Sequence, residues 1–129
     1  MRVLLIAALA AALIGLVLTC GLALAEDALD AAPMTWRGVQ LGGEQVFEGD
    51  FTTNFETSVF RPDGATKAEP LWLAGWEDRP GDNGGLTRRY HIRFVGRRTV
   101  ESGRYGGLGV YRHEVLITRL ISARVLIGP

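Results

Sequence analysis

The chain has 129 residues, 14 basic against 14 acidic side chains, and a single cysteine. This length allows one small domain, and one thiol excludes a disulfide framework within it. The balanced charge argues neither for nor against a charged partner.

Met1 and Arg2 are followed by 23 residues without a charge, VLLIAALAAALIGLVLTCGLALA, and then by Glu26 and Asp27. Ala23-Leu24-Ala25 has the small-x-small pattern of a signal-peptidase site, so 1–25 reads as a secretory signal cut after Ala25. Two rivals stand beside that reading. About 23 apolar residues are also enough to span a bilayer as a retained anchor. Alternatively, Cys20 could be acylated in a lipoprotein, although Thr19 precedes it where such signals favour Gly, Ala or Ser. Cleavage after Ala25 leaves a domain with no cysteine, whose stability outside the cytosol rests on core packing alone.

Residues 26–33 are acidic and alanine-rich and read as a flexible leader to a domain over 34–129. A first strand is expected at 35–41 (TWRGVQL), with Gly42-Gly43 as the turn into a second at 44–51 (EQVFEGDF). A third, 54–61 (NFETSVFR), closes at Pro62-Asp63-Gly64. The run 71–76 (LWLAGW) places Trp72 and Trp76 on one parity and both in the core. Residues 77–86 (EDRPGDNGGL) form the clearest loop. In 88–95 (RRYHIRFV), Tyr90, Ile92 and Phe94 share one side and Arg89, His91 and Arg93 the other, as in a half-buried strand.

Between Gly96 and Gly109 lie five glycines. They match neither G-x-G-x-x-G nor G-x-x-x-x-G-K-S/T, and a strand rather than a helix follows, so they shape a connection and not a phosphate cradle. The last segment, 113–127 (HEVLITRLISARVLI), could serve a helix. Its β-branched content favours a long strand, bulged near Arg119, where a charge interrupts the apolar parity.

The fold class expected from this pattern is all-β: a five- to six-stranded barrel of the oligonucleotide/oligosaccharide-binding type behind an N-terminal hydrophobic helix, with a small β-sandwich as second choice. The motifs F-x-G-x at 94–97 and S-G-R-Y-G-G-L-G-V-Y at 102–111, with F-E-T-S-V-F-R-P at 55–62, resemble those of small uncharacterised exported bacterial proteins with such a barrel. The resemblance covers most of the domain and implies export, the barrel and no established activity. Gly107 stands where histidine is common in that group, a departure that bears on any polar role for the loop.

Charge is unevenly placed. Residues 26–82 carry 12 acidic against four basic side chains, while 83–127 carry nine arginines against Glu101 and Glu114. Acidic and basic hairpins facing each other in one barrel account for this, with a basic face for an anionic ligand as the sharper alternative. On the sharper reading the ligand residues are Arg93, Arg97, Arg98, Arg104, Tyr105 and Tyr111, arginines meeting anionic groups and tyrosines stacking. The partner would be an anionic glycan, a lipid headgroup or an envelope protein. Nucleic acid is disfavoured by export, and membrane contact follows only if 1–25 is retained.

The function expected is thus a non-enzymatic envelope module, periplasmic or secreted, or anchored in the inner membrane facing the periplasm. No catalytic residue, cofactor or metal is assigned. His91 and His113 stand far apart without a neighbouring Cys or His and read as solvated strand positions. A hydrolase using Glu48, Asp50 or Glu56 is the alternative from another class, although pairing of these carboxylates with Arg93, Arg97 or Arg98 is favoured over catalysis.

Overall fold

A computed structural model of the protein describes residues 28–64, 68–77 and 87–127. The signal or anchor segment 1–25, Cys20 and nearly all of the 77–86 loop lie outside the described residues. Every regular element among those described is a strand, and no helix long and apolar enough to cross a membrane occurs among them.

A small hairpin comes first, β1 (Met34–Trp36) and β2 (Val39–Leu41). Its turn is Arg37-Gly38, both with positive φ (50° and 78°), the two-residue geometry whose twist suits a hairpin. The single strand expected at 35–41 is therefore folded in two. Gly42-Gly43 is not its turn but an extended exit, with the Gly42 amide donating to the Arg98 carbonyl at 2.9 Å.

Five strands then close a barrel in the order β3-β4-β5-β7-β6: β3 (Gln45–Thr53), β4 (Ser58–Pro62), β5 (Leu71–Ala74), β6 (Arg88–Arg98) and β7 (Glu114–Ile127). All neighbours are antiparallel except β5 and β7, which run parallel through Trp72↔Glu114, Leu73↔Val115 and Ala74↔Leu116. Alternation sets the interior. Phe51, Phe60, Leu71, Leu73, Tyr90, Ile92, Phe94, Val115 and Ile117 form one buried cluster, against which Phe47 and Trp76 pack.

β7 explains how a strand accommodates Arg119 in an apolar run. Leu126, Ile121 and Thr118 are each skipped in the pairing with β6, giving three bulges. The two around Arg119 shift the alternation for a single step, so that Leu120 becomes the partner of core Phe94 while Arg119 faces Val95. Farther along, Ala123 and Val125 return opposite Ile92 and Tyr90.

Glu114 opens β7 half-buried, and desolvation pushes its carboxyl above the ordinary glutamate range, partly offset by Arg37. A carboxyl raised in the folded state binds its proton more tightly there than in the unfolded chain. Its contribution is therefore fully favourable below the unfolded value and is lost as pH rises through the folded one. Glu114→Gln is expected to raise the thermal midpoint at pH 7 by about 2–4 °C, a gain kept small by partial exposure and absent at pH 3. Differential scanning calorimetry at the two pH values checks this.

Candidate functional site

Two connections flank Trp72 on the side of β5 away from the core. Between β3 and β4, Asn54 ties a tight turn: its Oδ1 accepts the amides of Glu56 (2.9 Å) and Thr57 (2.8 Å), and its own amide donates to the Thr57 carbonyl at 3.0 Å. The expected strand at 54–61 accordingly begins only at Ser58, because this side chain offers the backbone a competing turn. Phe55 stands at the tip.

Between β6 and β7, the glycine-rich run folds back on itself as a tongue. Tyr105 and Tyr111 exchange backbone hydrogen bonds (2.8 and 3.3 Å), with Gly106 and Gly109 at positive φ between them. A Cβ on Gly106 would lie 2.8 Å from the Trp72 ring and 2.9 Å from that of Tyr111, so glycine lets the tongue press against β5. The Trp72 and Tyr111 rings sit 5.6 Å apart, tilted by 45°. His113 closes the base of the tongue, its Nδ1 3.0 Å from Thr99 Oγ1.

Turn and tongue enclose a groove of about 510 Å³ floored by Trp72 and walled by residues 54–58 and by Gly107, Leu108, Val110 and Tyr111. Its rim holds Phe55, Leu108 and Val110, exposed by 70%, 86% and 68%. Glu56 is the one formal charge among the described lining residues. Such a volume suits a small ligand, and apolar side chains exposed together in one place mark a contact surface.

The six residues expected to bind a ligand do not converge. Arg93 is exposed on β6, in register with Glu48. Arg98 is half-buried near the end of the same strand. Arg104 lies exposed on the tongue with its Nε donating to the Gly109 carbonyl at 3.4 Å, and Tyr105 is half-buried beside it. Tyr111 alone lines the groove.

Arg97 is buried and held by its own protein. Its guanidinium donates to the carbonyls of Ala32 and Gly42 and to Asp30 Oδ2 at 2.8 Å, with Glu44 3.8 Å away. It thus fastens the leader to β6. Arg97→Ala is expected to cost about 2–3 kcal/mol in urea unfolding: several charge-assisted bonds vanish, but exposed Asp30 and Ala32 regain water. A loss under 1 kcal/mol would contradict the role.

The carboxylates separate in the same way. Glu56 belongs to the groove, whereas Glu48 and Asp50 lie on the outside of β3 opposite β6. There His91 Nδ1 is 3.0 Å from Asp50 Oδ1, and its Nε2 is 3.2 Å from Glu48 Oε1 and 3.6 Å from Asp63 Oδ2. Arg89 approaches Asp50 at 3.8 Å. The imidazole pKa is raised, first by the hydrogen bond to Asp50, then by that to Glu48, against a smaller desolvation effect. His91 is therefore not a free solvated position.

Sequence reasoning missed this cluster because it sought ligands close along the chain. The signal that could have found it is parity: Glu48 and Asp50 alternate outward on one strand, Arg89 and His91 on its neighbour. No protein-family model, no curated protein and no solved structure matches the chain.

Proposed function

We propose that the protein is an exported, non-enzymatic binding module whose barrel is of the oligonucleotide/oligosaccharide-binding type and whose groove over Trp72 takes a neutral oligosaccharide. The observation that carries this reading is the groove's place. It lies between the connections of the first and second barrel strands and of the fourth and fifth, beside the third strand, where barrels of this type hold their ligands. The parallel pairing of the third and fifth strands fits the same type. Export rests on the uncharged segment 3–25 and its small-x-small end.

The lining selects the ligand class. Sugar rings present C–H faces that pack on Trp72, Tyr111 and Phe55, and hydroxyls that suit Asn54, Thr57 and Ser58. An anionic glycan or lipid headgroup would meet Glu56 and no arginine among the described lining residues, which favours the uncharged ligand. Cleavage of a glycoside ordinarily uses two flanking carboxylates, and Glu48 and Asp50 stand outside the groove that contains Glu56, which supports binding without hydrolysis.

Titration followed by tryptophan fluorescence tests the reading, with a neutral β-glucan hexasaccharide against a heparin hexasaccharide. The neutral sugar is expected to saturate the signal and release no new reducing ends. Trp72→Phe and Phe55→Ala should each weaken it, with Trp72→Ala costing about tenfold. Preference for heparin, or equal affinity in all three variants, would overturn it.

A further inference from the structure

We infer that Glu48, Asp63 and His91 form a binding site for a divalent transition-metal ion of the zinc type on the outer face of the barrel. Three separate parts of the chain supply the ligands: β3 gives Glu48, β6 gives His91, and the turn after β4 gives Asp63. Their ligating atoms all lie within 4.8 Å of one another. Zinc bonds of about 2.0–2.2 Å in tetrahedral geometry hold neighbouring ligand atoms about 3.3–3.5 Å apart. The two distances from His91 Nε2, 3.2 Å to Glu48 and 3.6 Å to Asp63, bracket that spacing. An ion at their centre would need only side-chain adjustments.

The second nitrogen of the ring fits the same assignment. Asp50 holds Nδ1 at 3.0 Å, the arrangement in which a carboxylate fixes the tautomer of a metal-bound histidine and turns the Nε2 lone pair toward the ion. Without a cation that lone pair would face two carboxylates, an unfavourable arrangement that a proton or a metal ion relieves. Asp63 is also set by the backbone, its amide donating to the Glu48 carbonyl at 2.9 Å. One imidazole with two carboxylates favours zinc-like ions over magnesium or calcium, which take all-oxygen shells.

Glu48 and Asp63 remain half-exposed, with side-chain exposures of 51% and 54%. Affinity in the range of about 1–100 μM is therefore expected, and the site leaves coordination positions to solvent. Binding would clip β3, β6 and the β4 turn together and stabilise the barrel by mass action.

The test uses the full chain in a mild non-ionic detergent, carrying Cys20→Ser because the thiol could itself bind zinc. Isothermal titration with zinc chloride at pH 8, where proton competition at His91 is least, is expected to give one ion per chain. Zinc at a hundredfold excess over its Kd should raise the thermal midpoint by roughly 10 °C. Glu48→Gln and Asp63→Asn, both on open surface, should each weaken binding at least about tenfold. Asp50→Asn, which leaves all three ligands in place, should weaken it by about 10–100-fold. Affinity unchanged in Glu48→Gln and Asp63→Asn, or an equal midpoint rise with magnesium chloride, would overturn the assignment.

Discussion

Phe94→Ala is expected to lower the stability of the barrel by about 3–5 kcal/mol, the range for removing a buried aromatic ring and leaving its cavity. Phe94 is fully buried on β6. Its ring stacks on Phe47 of β3 at 5.3 Å and meets Phe60 of β4 edge-on at 5.0 Å. Leu120, brought opposite Phe94 by the bulges of β7, is its register partner there but stays 40% exposed. One ring thus packs on both β3 and β4, and no disulfide exists to offset its loss. A domain of this size has about 5–15 kcal/mol in all, so the variant would sit near the limit of folding at 37 °C. Urea denaturation followed by tryptophan fluorescence should show the midpoint falling by about 2–3 M, with Phe94→Leu losing under half as much. A shift below 0.5 M would contradict the packing described.

The interior face of β6 was readable in advance because it depends on parity, and parity survives in a bare sequence. Tyr90, Ile92 and Phe94 alternate with Arg89, His91 and Arg93, and the barrel buries the first set. The opposed halves of charge were readable for the same reason. Acidic β3 does face basic β6, but the pairs differ from those expected: Glu48 and Asp50 meet His91 and Arg89, while Arg97 is taken by Asp30. What escaped was set by backbone geometry with weak composition signals. Arg37 adopts positive φ in the first hairpin, where Asn or Asp before glycine would have announced the turn. Asn54 ends one strand through its own side chain, a choice that the β-favouring residues after it obscure.

The site was less legible than the core. On β5 the parity reading is inverted: Leu71 and Leu73 fill the interior, while Trp72 lies on the other side, where the tongue makes it a groove floor through tertiary packing. The arginines misled in a different way, since a count of charges cannot distinguish a guanidinium facing solvent from one bound inside its own fold. Arg97 is the second kind.

The second large effect lies at Gly49, the inward-facing glycine of β3. A Cβ there would stand 2.1 Å from the Arg61 carbonyl oxygen and 2.9 Å from Pro62 Cα, both backbone atoms that no rotamer change can move. Glycine lets the end of β4 cross tightly over β3 at the point where their pairing stops, Gly49↔Pro62 being its last pair. Gly49→Ala should therefore cost more than the usual 1–3 kcal/mol of an overpacked core, about 4 kcal/mol, because relief requires β4 to lift away from β3. The displacement would not stop at the core. Asp63 follows Pro62 directly and meets Glu48, the neighbour of Gly49, so the same movement pulls Asp63 from His91. Gly49→Ala is thus expected to lose both cooperative unfolding at its parental midpoint and the Asp63–His91 contact, whereas Asp63→Asn loses only the ion pair. Amide exchange across 58–63, fast in the first variant and unchanged in the second, would separate the two effects; slow exchange in Gly49→Ala would show that β4 has another way to accommodate the methyl group.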